Sequence, residues 1–173
     1  SARGNVFSKY DIKSVTLRSK GGSTLGGRQV WFDPDILRIN YDGQGMYLGE
    51  FQSEDQVLVV MKNGNFYLTS FDLTAHFEEG YRIIEKYDSE KVWSLLLWDA
   101  DQKYYYGKRF QMNASMKVQN MLGENPNSRM EMLSDKNGAC FRVVFSAETS
   151  DQLMLLMNEF IAVKGVTARG KRI

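Results

Sequence analysis

The feature that most constrains the fold of this chain is a two-strand pattern that recurs along it. Residues 56–73 read QVLVVMKNGNFYLTSFDL, which is an apolar run, a polar turn and an alternating aromatic run. Residues 91–112 read KVWSLLLWDADQKYYYGKRFQM and keep the same order. A third copy is a candidate at Asp151, where the sequence is DQLMLLMNEFIAVKGV. Strand repeats of this length are typical of propeller blades or a related array of stacked sheets, so we predict an all-β fold.

Turn residues predict where the strands pair as hairpins. Asn63-Gly64 lies between two strand-like runs and is a strong hairpin signal. The runs at 92–98 and 103–109 are predicted to form the next hairpin. Asp33-Pro34-Asp35 fits a turn, because proline presets its own φ and aspartate binds nearby backbone N–H groups. Residues 135–138, DKNG, predict a further hairpin between strands at 130–133 and 140–145.

Two segments are ambiguous. Ser115–Asn120 fits either a strand or a loose turn. The apolar run at 152–163 could be helix or strand by its periodicity, and the register of the repeats favours two strands joined near Asn158-Glu159. The predicted strands are residues 10–17, 29–32, 36–41, 46–51, 56–61, 66–70, 81–86, 92–98, 103–109, 130–133, 140–145, 153–157 and 161–166.

Composition fits one globular domain spanning residues 1–173. Apolar residues make up 43% and charged residues 25%, which is ordinary for a folded chain. No run approaches the ~18 apolar residues of a membrane helix, and the N-terminus lacks an apolar signal core. We therefore expect a cytoplasmic domain with no membrane partner. Because the two ends read similarly, ARGN at 2–5 and ARGK at 168–171, we expect an excised part of a longer polypeptide.

No residue pattern supports catalysis, a metal or a cofactor. The one cysteine, Cys140, and the one histidine, His76, fall in different repeats, whereas a catalytic thiol needs a basic partner. We expect Cys140 to be a small buried apolar residue. The glycine loop KGGSTLGGR, Lys20 to Arg28, lacks the Lys and Ser/Thr of a nucleotide-binding loop. It is expected to connect strands or to lie along a nucleic-acid backbone. We therefore predict a binding module without enzyme activity.

Basic residues gather in three places, although the net charge is only +1. They lie near the N-terminus, beside a tyrosine run and at the end of the chain. These residues are Lys13, Arg18, Lys20 and Arg28; Lys103, Lys108 and Arg109; and Lys164, Arg169, Lys171 and Arg172. A neutral total can contain a basic stripe of the kind that binds nucleic acid. Residues 104–106, YYY, could stack bases, but strand alternation favours packing for at least one face.

Several segments resemble one protein family. VLVVMKNGNFYLTSFDL resembles the repeat unit in the C-terminal domains of bacterial type IIA topoisomerase A subunits, the A subunits of DNA gyrase and topoisomerase IV. NEFIAVKGVTARGKRI and ARGNVFSKYDIKSV are similar to segments that end and begin such units. LRSKGGSTLGGRQVWFD resembles a feature of the topoisomerase IV A subunits of Bacteroidetes-like bacteria. Arg18-Ser19-Lys20-Gly21-Gly22 departs from the glycine/arginine-rich box of gyrase, which favours a topoisomerase IV role.

The resemblance implies a β-pinwheel, a propeller variant whose blades exchange strands, here with about four blades. It also implies binding and bending of duplex DNA along a basic rim. The expected phosphate contacts are Lys20, Arg28, Lys108, Arg109, Arg169, Lys171 and Arg172. The parent enzyme would use ATP and Mg through other domains, and the partners would be the rest of the A subunit and the ATPase B subunit in the nucleoid. The alternatives are a protein-interaction propeller and a small-ligand or carbohydrate-binding β domain.

Overall fold

The computed structural model describes Lys13, residues 27–146 and residues 152–173. The predicted strand at 10–17 and most of the glycine loop lie outside the described residues. Thirteen strands and one short helix make up the described part: β1 (Arg28–Asp33), β2 (Arg38–Asn40), β3 (Met46–Phe51), β4 (Val57–Met61), β5 (Asn65–Thr69), β6 (Tyr81–Lys86), β7 (Val92–Asp99), β8 (Tyr104–Gln111), β9 (Gln119–Asn120), β10 (Arg129–Ser134), β11 (Cys140–Val144), β12 (Gln152–Leu156), α1 (Met157–Phe160) and β13 (Lys171–Arg172). No helix of this part is long and apolar enough to cross a membrane.

The strands form four antiparallel sheets. Sheet A has the order β2-β1-β3, sheet B the order β6-β4-β5-β9, sheet C the order β10-β7-β8-β13, and sheet D contains β11 and β12. The all-β fold predicted from the repeats is therefore confirmed.

Sheets B and C each contain a strand that returns from further along the chain. After hairpin β4–β5 and strand β6, the chain forms β7–β8 in sheet C before β9 pairs with β5. In the same way, β13 pairs with β8 only after β11 and β12 have formed sheet D. Successive sheets are therefore interlocked by strands rather than merely placed side by side.

Consecutive sheets share apolar cores, and this explains why β4 reads as a continuous apolar run. Val57 and Val59 belong to a core that sheets A and B share. Leu58 and Val60 point to the opposite face, as alternation requires, and belong to a core shared with sheet C. A third core joins sheets C and D through Leu96 on one side and Phe141 and Leu155 on the other; with these, it comprises Leu96, Ala139, Phe141, Leu155, Met157 and Ile161.

Three of the four predicted pairings around a turn are confirmed. β4 and β5 pair across Asn63-Gly64, where Gly64 has a positive φ of 88°. β7 and β8 pair as expected. β1 and β2 pair around Pro34, and the Asp33 carboxylate accepts a hydrogen bond of 2.9 Å from the backbone N–H of Asp35.

Two predictions in the C-terminal third were wrong. β10 and β11 do not form a hairpin with each other, because β10 pairs with β7, placing Leu133 opposite Leu95, and β11 pairs with β12. The third copy of the pattern thus begins at β11 rather than at Asp151. The run 152–163 is not two strands, since β12 is followed by helix α1. The helical turn places Met157 and Ile161, four residues apart, in the same core.

Candidate nucleic-acid interface

Residues 161–173, here called the C-terminal segment, form the most cationic stretch of the described chain. The segment contains no Asp or Glu. Its basic side chains, Lys164, Arg169, Lys171 and Arg172, are all exposed. Because like charges in one short segment repel one another, they favour an anionic partner.

Main-chain hydrogen bonds hold this segment against β8. The backbone N–H of Lys164 donates to the Arg109 carbonyl oxygen at 2.9 Å, and that of Ile173 donates to the Tyr105 carbonyl oxygen at 3.0 Å. Between these points, Lys171 pairs with Gly107 in the ladder of β13 and β8. Lys171 and Arg172 therefore lie on a strand of sheet C, and Lys164 lies where the backbone is hydrogen-bonded to Arg109 at the end of β8.

Lys108 and Arg109 strengthen this attachment with their side chains. The Lys108 ammonium donates to the carbonyl oxygens of Met121 at 3.0 Å and Val166 at 3.3 Å. The Arg109 guanidinium donates to the Ile161 carbonyl oxygen at 3.0 Å. Both side chains thus hold the C-terminal segment in place.

Lys108 lies inside the protein, with 8% of the residue exposed. Burial lowers its pKa below the ordinary lysine value, and the nearby Asp99 carboxylate only partly opposes this effect. With its ammonium turned to two carbonyl oxygens, Lys108 is placed as a structural lysine. Its ammonium is therefore not available for contact with a DNA phosphate.

Glycine at positions 107 and 170 permits the close approach of β13 to β8. Gly170 has a φ of +90°, and a Cβ at this position would lie 2.6 Å from the Gly107 carbonyl oxygen. A Cβ at Gly107 would lie 2.3 Å from the Cδ1 atom of Ile161. A side chain at position 170 would push β13 away from the β8 backbone, whereas one at position 107 would displace the end of the Ile161 side chain.

Gly170→Ala is expected to lower the free energy of unfolding by about 2–3 kcal/mol, since it combines a strained φ with a backbone clash. Gly165→Ala is the matched control in the same segment, because a Cβ there meets nothing within 4 Å. The free energy of unfolding of Gly165→Ala should stay within about 0.5 kcal/mol of that of the parent protein. Urea unfolding of the two variants checks the comparison, and equal stabilities would contradict the described packing of β13 on β8.

A shallow cavity of about 250 Å³ opens beside the attached segment. Its basic lining residues are Lys108, Arg109, Lys164 and Lys171. Backbone of Gly165 and Gly170 completes one wall. Phe160, Ile161, Ala162 and Ala168 form the apolar part of the lining. Lysine, arginine and backbone N–H groups are the groups that contact phosphate oxygens, so the basic side of the cavity is suited to a phosphate.

The structure brings together four of the seven predicted contact residues. Arg109, Arg169, Lys171 and Arg172 lie on or beside the C-terminal segment. Arg28 lies apart in sheet A, with its guanidinium 4.4 Å from the centre of the Tyr41 ring. Lys20 is outside the described residues, and Lys108 is buried.

Sequence reasoning left one exposed basic residue out of the predicted contacts and predicted the burial of one cysteine wrongly. Lys164 is exposed and lines the cavity, although it was not among the predicted contacts. The absence of acids from the whole stretch 161–173 was the available signal. Packing was expected for at least one face of the tyrosine run, and Tyr106 is buried as expected, while Tyr104 and Tyr105 are each 42% exposed. Cys140 is exposed rather than buried.

Within residues 27–146 and 152–173, no group of three or more His, Cys, Asp or Glu side chains is placed to hold a metal ion.

A family model described as "Topoisomerase C-terminal domain, Bacteroidota" matches residues 38–173. The chain belongs to this family. The matched residues of this topoisomerase C-terminal domain include the whole segment 161–173 but not Arg28. The resemblance found in the sequence is thus confirmed at the level of the family, and the choice between gyrase and topoisomerase IV stays a prediction.

Neither the search of curated proteins nor the search of solved structures found a match for this topoisomerase C-terminal domain.

Proposed function

We propose that this topoisomerase C-terminal domain binds duplex DNA without sequence preference and bends it for the parent enzyme. The observation that carries the proposal is the C-terminal segment, with four exposed cations and no acid, fixed along β8. The proposed contacts are Lys164, Arg169, Lys171 and Arg172, with Arg109 at the edge of the cavity. Arg28 and Lys20 are proposed as outlying contacts that a bent duplex would reach.

The proposed mechanism is electrostatic. Cations that neutralise phosphates release condensed counterions, and this gives affinity for any duplex sequence. Because the strand is attached to β8 by main-chain hydrogen bonds, its charges keep their spacing when DNA binds. If the duplex bends to reach these contacts and the outlying ones, its deformation has an energetic cost that the contacts offset.

The exchange of strands between sheets supports a β-pinwheel, in which sheets A to D are the blades. The domain itself would use no metal or cofactor, and ATP and Mg would act in other parts of the parent enzyme. Its partners would be the rest of the A subunit and the ATPase B subunit, in the cytoplasm at the nucleoid. The departure of residues 18–22 from the gyrase box favours topoisomerase IV as the parent.

Duplex affinity is expected to fall about 100-fold between roughly 50 and 200 mM salt, as four phosphate contacts would require. Fluorescence anisotropy with two duplexes of unrelated sequence measures this slope and its independence from sequence. An affinity that is unchanged between the two salt concentrations would exclude the proposed electrostatic binding.

One observation favours the alternative of a protein-interaction module. Sheet D exposes apolar side chains on one side, with Val144 63% and Met154 59% exposed. Large exposed apolar patches are typical of protein interfaces. Binding of a protein through this surface would be nearly independent of salt, and this separates it from DNA binding.

A further inference from the structure

A cavity of about 600 Å³ lies between β11 and sheet C. Seven consecutive residues of the chain, 140–146, line it. The side chains of a strand point alternately to its two faces, so a cavity on one face would meet every second residue. Contact with consecutive residues means that the cavity runs along the edge of β11. We call it the β11 groove; its other side is formed by Leu96, Tyr105, Met132 and Ile173.

The backbone along this groove is free to pair with a further strand. β12 pairs with one edge of β11, and among the described residues no strand pairs with the other edge. The N–H and C=O groups of an unpaired edge are a template for another chain. Apolar surface lies beside them, since Met132 is 44% exposed and Phe145 is 48% exposed. The groove therefore offers main-chain hydrogen bonds next to an uncovered apolar floor.

Sheets B and C show what occupies the equivalent position. The first strand of each hairpin, β4 or β7, carries an antiparallel flanking strand on its other edge, β6 or β10. Ile84 of β6 lies opposite Val59 and enters the core shared with sheet A. Leu133 of β10 lies opposite Leu95 and enters the core shared with sheet B. In both sheets the flanking strand fills space against the preceding sheet, and the β11 groove is the corresponding space in sheet D.

The side chains of β11 define which strand fits. Phe141 and Val143 pack in the core between sheets C and D, so the residues opposite them would enter the groove and should be bulky and apolar. Arg142 lies between them on the other face, is exposed, and has no acidic partner in the part of the chain that is described. The acid that lines the groove, Glu131, faces Arg129 at 3.4 Å. Opposite charges in facing positions stabilise an antiparallel pair, so an acidic residue fits opposite Arg142.

We propose that the β11 groove binds an extended strand of a partner protein, in which two bulky apolar residues flank an acidic one, and that this strand pairs antiparallel with β11. Addition of a strand to a sheet edge gives affinity through main-chain hydrogen bonds and specificity through pockets for alternate side chains. Sheet D would gain the flanking strand that sheets B and C already have. None of the four exposed cations of the C-terminal segment lines the groove, so the inference does not depend on DNA binding.

The test uses a fluorescein-labelled peptide, Lys-Thr-Val-Asp-Ile-Thr-Lys, and measures its binding to the domain by anisotropy. Met132→Trp fills the groove and should weaken binding about tenfold, because an apolar side chain of the peptide loses its place of burial. Met46→Trp is the matched control, since Met46 in sheet A is 42% exposed and lies outside the groove. Its affinity for the peptide should equal that of the parent protein.

Charge reversal tests the position of the acidic residue. Arg142→Glu should weaken binding of the peptide about fivefold, because an attractive facing pair becomes repulsive. A second peptide with Lys in place of Asp should bind this variant better than it binds the parent protein. Arg142 is exposed, so the substitution leaves the core unchanged.

Cys140 reports the register of the bound strand, because it is exposed and is the one cysteine of the chain. With the peptide Asp opposite Arg142, the residue two positions after Asp lies opposite Cys140. Directly opposite Cα atoms are about 4.5–5.5 Å apart, within the span of a disulfide. A peptide with Cys at that position should form a mixed disulfide in a glutathione redox buffer. A peptide with Cys two positions before Asp should not.

Three results would overturn the inference: no binding of the peptide to the folded parent protein, equal binding by Met132→Trp and Met46→Trp, or equal disulfide formation by the two cysteine peptides. Binding without any disulfide would also overturn it, and would place the peptide elsewhere, such as the free edge of β12. Thermal unfolding shows that each variant is folded. Duplex titrations of the same variants should match those of the parent protein, which keeps this test separate from that of DNA binding.

Discussion

The variant K164E/R169E/K171E/R172E is expected to lose more than about 100-fold in duplex affinity at roughly 50 mM salt. The four side chains are exposed on one segment, so their reversal turns the proposed phosphate contacts into repulsive ones. The slope of log affinity against log salt should fall by about 3.6, since each phosphate contact contributes about 0.9. Anisotropy titrations at several salt concentrations measure both quantities.

The control variant, K62E/R82E/K117E/K136E, reverses four exposed cations away from the C-terminal segment. Both variants have the same net charge, so long-range repulsion of DNA affects them similarly. The control should keep most of the affinity and most of the salt slope. If the two variants lose affinity equally, the C-terminal segment is not the interface.

The second large effect is expected for Phe110→Ala, which should cost about 3–5 kcal/mol of unfolding free energy. Phe110 has no exposed surface and lies in the core between sheets B and C, directly opposite Trp93. Its truncation leaves a cavity that the surrounding strands cannot fill. A fall of roughly 10 °C in Tm should accompany the loss.

Met116→Ala is the comparison variant, because Met116 is 68% exposed. Its stability should stay within about 0.5 kcal/mol of the parent protein. Urea unfolding compares the three proteins. A loss below about 1 kcal/mol for Phe110→Ala would contradict the packing of sheet C on sheet B.

Local signals predicted much of the fold, and long-range pairing explains where they failed. β3 and β6 lie where alternation placed them, and Asn63-Gly64 fixed the hairpin between β4 and β5. The turn signal at 135–138 was equally clear, but β10 pairs with β7 instead of β11. This pairing places Leu133 opposite Leu95, in the core that sheets B and C share. Turn residues and alternation in the local sequence do not indicate which distant strand a given strand pairs with.

In the candidate site, too, local sequence indicated some features, whereas others depend on contacts between distant segments. Charge clustering placed Arg169, Lys171 and Arg172 in one basic group, and the structure shows all three exposed. The burial of Lys108 was also readable in principle, because Tyr106 and Phe110 lie two residues to either side of it and face the same core. What the sequence could not show is that carbonyl oxygens of Met121 and Val166 would meet its ammonium, since these belong to segments returning from two other parts of the chain.

The return of β13 to sheet C has a mechanical consequence for the proposed binding of bent DNA. In an ordinary repeat array, each unit can open by itself because it contacts only its neighbours. Here, tension applied to Arg172 is carried across the backbone ladder to β8 and into the core shared with sheet B. Peeling β13 away would uncover the edge of β8. The elastic force of a bent duplex would therefore be resisted by the core shared with sheet B and by the core shared with sheet D, against which Ile173 packs.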